Sequence, residues 1–218
     1  MRLSFLLFLG LCMNAVAAAP KRYLALGDSY TIGESVAESG RFPVQLVAAL
    51  REHGRDFADP EIVARTGWTT SELQDAIDLA KPKPPFELVT LLIGVNNQFR
   101  GGDLRRYRSE FGKLLQHAIA LAGRDKAQVL VLSIPDWGVT PFARTDRRGA
   151  KTIGKQIDAF NAEAREVCHK NGVRFIDITP DSRERGGDTD MLTVDRLHPS
   201  AAMYARWVET VVREAFAK

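Results

Sequence analysis

Five short runs rich in branched apolar residues constrain the fold of this chain more than any other feature. They cover residues 22–26, 61–64, 88–93, 128–133 and 173–178. Several are nearly continuous in apolar character, which suits strands buried on both faces of a parallel sheet. Helix-period patterns lie between them. Phe42-Pro43 opens one, with proline suited to the first helical turn, and Gly54 closes it. A second begins near Thr70-Ser71 and stops before Lys81-Pro82. A third follows Asp103 and carries Tyr107, Phe111, Leu114, Leu115, Ala118 and Ile119 on one face. The fourth carries Ile157, Phe160, Ala164 and Val167 and ends at the helix-stop pair Asn171-Gly172. In the last, Tyr204, Trp207, Val208, Val211, Val212, Ala215 and Phe216 recur at helical spacing. This alternation predicts a doubly wound α/β sheet, a three-layer α/β/α sandwich on five parallel strands, for which the flavodoxin-like order 2-1-3-4-5 is the expected one. Residues 134–150 and 179–193 read as long irregular loops, the second of them mobile.

The N-terminus reads differently. Met1-Arg2 is a short basic start, and the apolar run from Leu3 to Leu11 is too short to span a bilayer. Ala15-Val16-Ala17 then offers a small-residue cleavage site. The expected organisation is a signal peptide over residues 1–19, cut after Ala17 or up to Ala19, and a single domain over residues 20–218. That places the product in the periplasm or outside the cell, with no transmembrane segment after processing. Cys12 leaves with the signal, so Cys168 has no intrachain partner. The net charge is only +3, and the basic residues are scattered, which argues against nucleic acid as a partner. No obligate protein partner is evident.

Chemistry concentrates at two distant places. Gly27-Asp28-Ser29-Tyr30 follows the first strand, and Asp195-Arg196-Leu197-His198-Pro199 precedes the last helix. A serine nucleophile needs a base to take its proton, and that base needs a carboxylate to fix its tautomer and orientation. Ser29, His198 and Asp195 supply those three residue types. Pro199 biases His198 away from helical geometry, so His198 is expected to cap the last helix with Pro199 at its first position. Ligands in open parallel sheets bind beyond the carboxyl ends of the strands. In the expected strand order Ser29 lies between Gly67, after the second strand, and Asn96, after the third. The backbone N–H groups of Ser29 and Gly67 and the side-chain amide of Asn96 can then converge on one oxyanion. Glycine at 67 lets a substrate approach the backbone.

The block Ala25-Leu26-Gly27-Asp28-Ser29-Tyr30 resembles the first motif of the GDSL, or SGNH, hydrolases. Gly67 resembles their second motif, Gly94-x-Asn96 the third, and Asp195-x-x-His198-Pro199 the last, all in the family's order. The stretch from Leu91 to Gln98 is similar to a secreted bacterial subgroup of esterases and lipases. The resemblance implies Ser29 as nucleophile, His198 as base and Asp195 as its orienter, with Ser29, Gly67 and Asn96 as oxyanion donors. Many members have aspartate where this chain has Asn97, and a small residue where it has Arg196.

The expected activity is cleavage of carboxylic esters or thioesters through an acyl-enzyme, which needs no cofactor. The substrate class is a small-molecule, lipid or carbohydrate ester. Trp68, Phe99 and Trp137 are expected near the same rim, where they either line an acyl or alcohol pocket or pack in the core. Arg196 either points to solvent or contacts the substrate. His53, His117 and His169 read as surface residues, and no His, Cys and carboxylate cluster has metal spacing. Two other readings remain open: a non-catalytic carbohydrate- or lipid-binding module on the same fold, and an acyltransferase.

Overall fold

The structure is a computed structural model that describes residues 18–216. The expected signal peptide lies almost wholly outside the described residues. In chain order the elements are β1 (Tyr23–Gly27), α1 (Ser29–Ile32), α2 (Phe42–Glu52), β2 (Glu61–Ala64), α3 (Thr70–Ala80), β3 (Leu88–Leu92), α4 (Val95–Phe99) and α5 (Leu104–Leu121). They continue with β4 (Val129–Leu132), α6 (Ala150–Asn171), β5 (Arg174–Ile176), α7 (Thr179–Arg185) and α8 (Ala201–Ala215).

The five strands form one parallel sheet of order β2-β1-β3-β4-β5, as the apolar runs predict. Every residue of β1, β3 and β4 is buried, while the edge strands β2 and β5 keep partly exposed positions. A strand with no exposed face must be covered on both sides. Helices α3, α5 and α6 form the cover on one face, and α2 and α8 pack together on the other. Right-handed crossovers produce this division, because the chain reverses its winding direction once, after β2. Between β1 and β3 the Tyr23 hydroxyl and Thr90 Oγ1 lie 2.8 Å apart, so the two polar atoms buried in this layer satisfy each other.

Local signals set the helix ends. At the start of α3 the Glu72 carboxylate accepts from the Thr69 N–H at 2.8 Å, half of a capping box. Asp103 Oδ1 accepts from the Arg106 N–H at 2.9 Å and opens α5. Gly172, with φ +67°, closes α6.

Three expectations need correction. Residues 134–150 are not wholly irregular: two 3-10 turns, Trp137–Val139 and Pro141–Thr145, occupy about half of the segment. Residues 179–193 likewise contain α7 and a third such turn, Thr189–Met191. Thr179 starts α7 there, held by Ser133: its N–H donates to Ser133 Oγ at 3.0 Å, a tertiary bond that no local pattern encodes. Thirdly, the cap of α8 is Ser200, whose Oγ accepts from the Met203 N–H at 3.4 Å. His198 stands before it in a loop, and Pro199 bridges to Leu192 in extended backbone.

Trp207 holds α8 to α1 and α2. Fully buried, it meets Tyr204, Tyr30 and Phe42 edge to face with ring centroids 5.1, 6.1 and 6.5 Å away. Truncating so large a buried ring leaves a cavity that the neighbours fill only in part. Trp207→Ala should therefore lower unfolding stability by about 3–5 kcal/mol in a urea titration. A loss below about 1 kcal/mol would show that α8 docks by other contacts.

Candidate active site

The carboxyl ends of β2, β1 and β3 lie side by side, and the segments leaving them meet beyond that edge of the sheet. From β1 the chain turns through Asp28 straight into α1. Asp28 Oδ1 accepts from the Tyr30 N–H at 3.0 Å, which makes Ser29 the first residue of that helix. Ser29 is only 4% exposed. Its own N–H finds no acceptor among the described residues, since a first-turn donor has no carbonyl four residues back.

From β2 the chain reaches Gly67 in left-handed backbone at φ +87°, where a side chain would be strained. The Gly67 carbonyl accepts from Arg100 Nη2 at 2.7 Å, and Arg100 in turn pairs with Glu72 at 3.3 Å. The Gly67 N–H, like that of Ser29, has no acceptor among the described residues. From β3 the chain enters α4 through Gly94 at φ +130°, and a Cβ there would stand 2.8 Å from the Tyr107 ring. Only glycine lets β3 turn at this point. Asn96 Nδ2 then donates to the Trp68 carbonyl at 2.9 Å. A carbonyl only accepts, so this bond decides which end of the amide carries the hydrogens. The second amide hydrogen stays available. Asn97 braces the same turn from behind: its Oδ1 accepts from the Thr70 N–H at 3.0 Å, and its Nδ2 donates to Thr70 Oγ1 at 2.8 Å.

The C-terminal contribution is a loop closed on itself. The Thr193 N–H donates to the His198 carbonyl at 2.8 Å, and the Ser200 N–H to the Met191 carbonyl at 2.9 Å. Within this loop Asp195 Oδ1 accepts from Thr193 Oγ1 at 2.8 Å and from the N–H groups of Leu197 and His198, each at 2.9 Å. Asp195 Oδ2 lies 2.7 Å from His198 Nδ1. Burial pushes the Asp195 carboxyl up, but the donors from His198, Leu197 and Thr193 outweigh it and hold it at about 2. A carboxylate only accepts, so Nδ1 carries a hydrogen and Nε2 is the free nitrogen of the neutral ring. The His198 ring stands edge to face with Tyr30 at 5.8 Å.

Ser29, Gly67, Asn96 and His198 line one cavity of about 170 Å³ that opens to solvent. The remaining wall is mostly apolar: Tyr30, Val95, Phe99, Trp137, Phe142 and Leu197. No hydrogen bond joins Ser29 Oγ to the His198 ring; the ring's side-chain bond runs to Asp195. Such bonds are often long before a substrate is bound.

Of the aromatic residues expected at the rim, Phe99 and Trp137 line this cavity and Trp68 does not. The Trp68 ring is half-buried against the core, and its nearest link to the site is its carbonyl, which holds Asn96. Arg196 is also outside. It sits at φ +60°, the tip of the turn that lets Asp195 fold back, and lines a separate cleft with Pro141 and Val194. Val95 and Leu197 went unnoticed in the sequence, although Val95 lies four residues before Phe99 on α4 and so shares its face. Phe142 carries no such signal; it reaches the cavity because its N–H donates to the Arg196 carbonyl at 3.3 Å. Among the described residues no group of three His, Cys, Asp or Glu could hold a metal ion, and no helix is long and apolar enough to cross a membrane.

Ser29 and the Asp195-bonded His198 thus line one cavity beyond the carboxyl edge of a parallel α/β sheet. The chain belongs to the GDSL-like Lipase/Acylhydrolase family, whose pattern matches residues 25–206. That membership supports ester hydrolysis in general. No curated protein matches the chain in sequence. Among solved structures it is similar to TesA, at 22% identity and a TM-score of 0.67 over 88% of this chain and 97% of that one. The esterase EstA from Pseudoalteromonas sp. shares 14% identity at a TM-score of 0.68, over 88% of this chain and 95% of its own. Axe2, an acetylxylan esterase from Geobacillus stearothermophilus, shares 16% at a TM-score of 0.66, over 91% and 95%. At these identities the likeness is one of fold.

Asp28 carries a separate consequence. Burial pushes its carboxyl up from 3.8 to about 7, against the opposing bond from the Tyr30 N–H, and Oδ2 has no partner among the described residues. A raised folded-state value means that the native state holds the proton longer than the unfolded chain does. Its contribution to stability is complete below about pH 4 and is lost as pH rises through about 7. Asp28→Asn keeps the shape without the charge. In urea titrations the variant should match the parent near pH 4 and exceed it near pH 8; a gap independent of pH would contradict the assignment.

Proposed function

We propose that this protein hydrolyses carboxylic esters through an acyl-enzyme formed on Ser29. The observation that carries this reading is the 2.7 Å contact between Asp195 Oδ2 and His198 Nδ1, with His198 and Ser29 lining one cavity. With Nδ1 committed to the carboxylate, the free Nε2 is the ring atom that serves as base. Ser29 Oγ attacks the acyl carbon while Nε2 takes its proton. Asp195 holds the ring and offsets the charge of the imidazolium that forms.

The carbonyl oxygen becomes negative in that step. The N–H of Ser29, the N–H of Gly67 and the second amide hydrogen of Asn96 are its donors, all of them without other partners among the described residues. They need no reorganisation, because the Gly67 turn is held at its carbonyl by Arg100 and the Asn96 amide by Trp68. The imidazolium then gives its proton to the departing alcohol. Water attacks the acyl carbon by the same route in reverse, and the acid leaves with Ser29 restored. The reading includes export: a signal peptide removed after Ala17, or as late as Ala19, would deliver the enzyme to the periplasm or beyond.

Turnover of p-nitrophenyl acetate tests the mechanism. Ser29→Ala and His198→Ala should each lower kcat by about 10³-fold or more, with circular dichroism unchanged. Wild-type turnover in Ser29→Ala would overturn the reading. Asn96→Ala removes one oxyanion donor and should cost about 10²–10³-fold in kcat with little change in KM. An effect confined to KM would mean that Asn96 binds the ground state instead.

A further inference from the structure

The apolar wall of the cavity is assembled from two separate chain segments. Phe99 ends α4, whereas Trp137 and Phe142 come from the two 3-10 turns after β4. The Phe99 and Trp137 rings stand edge to face at 5.4 Å, and Trp137 and Phe142 at 6.2 Å. Trp137 is buried, but Phe99 is 45% exposed. A ring with that much water on it is not held in place by packing alone.

Arg148 supplies the missing restraint. Its guanidinium lies over both rings, 5.4 Å from the Phe99 centroid and 5.2 Å from that of Trp137. Through Nη1 it also donates to the Phe99 carbonyl at 3.2 Å and to the Gln98 carbonyl at 3.4 Å. Asp146 holds the guanidinium from the other side, with Nη2 to Oδ2 at 2.7 Å and Nε to Oδ1 at 2.9 Å. The two-pronged geometry is one that a lysine cannot reproduce. Arg148 does not itself line the cavity. It ties the end of α4 to the segment after β4 and presses their aromatic faces into one surface.

We propose that Arg148 is a positioning residue that fixes this aromatic wall as the seat of an extended hydrocarbon group of the ester. The proposal rests on the assignment of Ser29 and His198 as the reacting pair. The polar groups of the cavity are those committed to the reacting carbonyl, together with the Tyr30 hydroxyl, on the ring that stands against His198, and Thr66, whose hydroxyl is bonded to Glu34. Beyond them the wall offers an ester substituent apolar contact and no further hydrogen-bonding group, which fits a methylene chain and leaves a sugar ring unsatisfied. Each methylene that reaches the wall should raise kcat/KM about fourfold, the fold-change that corresponds to ~0.8 kcal/mol per buried CH₂. The hydrocarbon belongs either to the acid or to the alcohol of the ester, and the experiment separates these two sources.

The test measures kcat/KM of the mature protein on p-nitrophenyl acetate, butyrate, hexanoate and octanoate, and on ethyl, butyl, hexyl and octyl acetate. In the parent protein one series should rise with chain length, which identifies the source. In Arg148→Ala the ratio of the longest to the shortest substrate in that series should fall about tenfold or more, and Arg148→Lys should restore only part of it. Phe99→Ala, which removes a half-exposed ring and not a core side chain, should flatten the same series and keeps the question answerable if Arg148→Ala misfolds. Flat profiles in both parent series would overturn the proposal. So would an Arg148→Ala profile lowered equally at every length, since that is the signature of a merely structural arginine. Either result, obtained with turnover that still depends on Ser29, leaves the hydrolase assignment standing; turnover independent of Ser29 removes both.

Discussion

The complete burial of β1, β3 and β4 is the constraint on which the rest of the molecule depends. Strands without a wet face need helices on both sides, and parallel neighbours can be joined only by crossovers long enough to contain those helices. The parallel direction of all five strands then brings every carboxyl end to the same edge of the sheet. Where the ladder stops, backbone N–H groups lose their sheet partners. At Ser29 and Gly67 they are not re-bonded by the chain that follows. The sheet thus creates a row of uncommitted donors at the place where its connections leave room for a ligand.

A second element, α4, turns that room into a defined shape. It has five residues, and four of its neighbouring polar groups are each assigned to a different piece of the rim. Asn96 holds the Trp68 carbonyl, Asn97 the first turn of α3, and Arg100, which caps the helix, the Gly67 carbonyl. Gln98 is buried and accepts from Trp137 Nε1 at 2.8 Å while donating to Gln156 at 2.7 Å. So short a helix has little stability of its own. It persists because these bonds and the packing of Val95 bind it from all sides, and the same bonds keep the cavity open in one shape.

Asp195 plays the corresponding part at the other end of the chain. One carboxylate gathers three donors on Oδ1 and the His198 ring on Oδ2, so the loop and the ring orientation are set by the same group. The loop reaches the sheet because α8 docks through Trp207 against Phe42 and Tyr30. The hydrophobic packing of a C-terminal helix therefore decides the distance between two residues at opposite ends of the sequence. Arg196 accepts a left-handed backbone in this loop, a conformation that costs about 1–2 kcal/mol for a residue with a side chain. The four bonds to Asp195 offset that cost.

The strands and the major helices were legible in the sequence, because burial on both faces, on one face or on none leaves distinct periodicities in the residues themselves; the strand order followed from the common doubly wound arrangement and not from any periodicity. The residues of the cavity's polar end were legible too, since glycine in left-handed backbone and a carboxylate three residues before a histidine are local requirements. The helical content of residues 134–150 and 179–193 was not, because bonds such as that from Thr179 to Ser133 Oγ come from a neighbouring strand more than forty residues away in sequence. Nor could sequence spacing show that Trp68 contributes a carbonyl and not a ring, or that Arg196 turns into a neighbouring cleft. The apolar wall was the least legible part. Phe99, Trp137, Phe142 and Arg148 have no common period, and only the packing of the segment after β4 onto α4 makes them neighbours. The sequence by itself determined which residue types the chain brings to the site and which layers it folds into. The tertiary structure decided the shape of the space around those residues, because that shape depends on contacts between segments that share no local pattern.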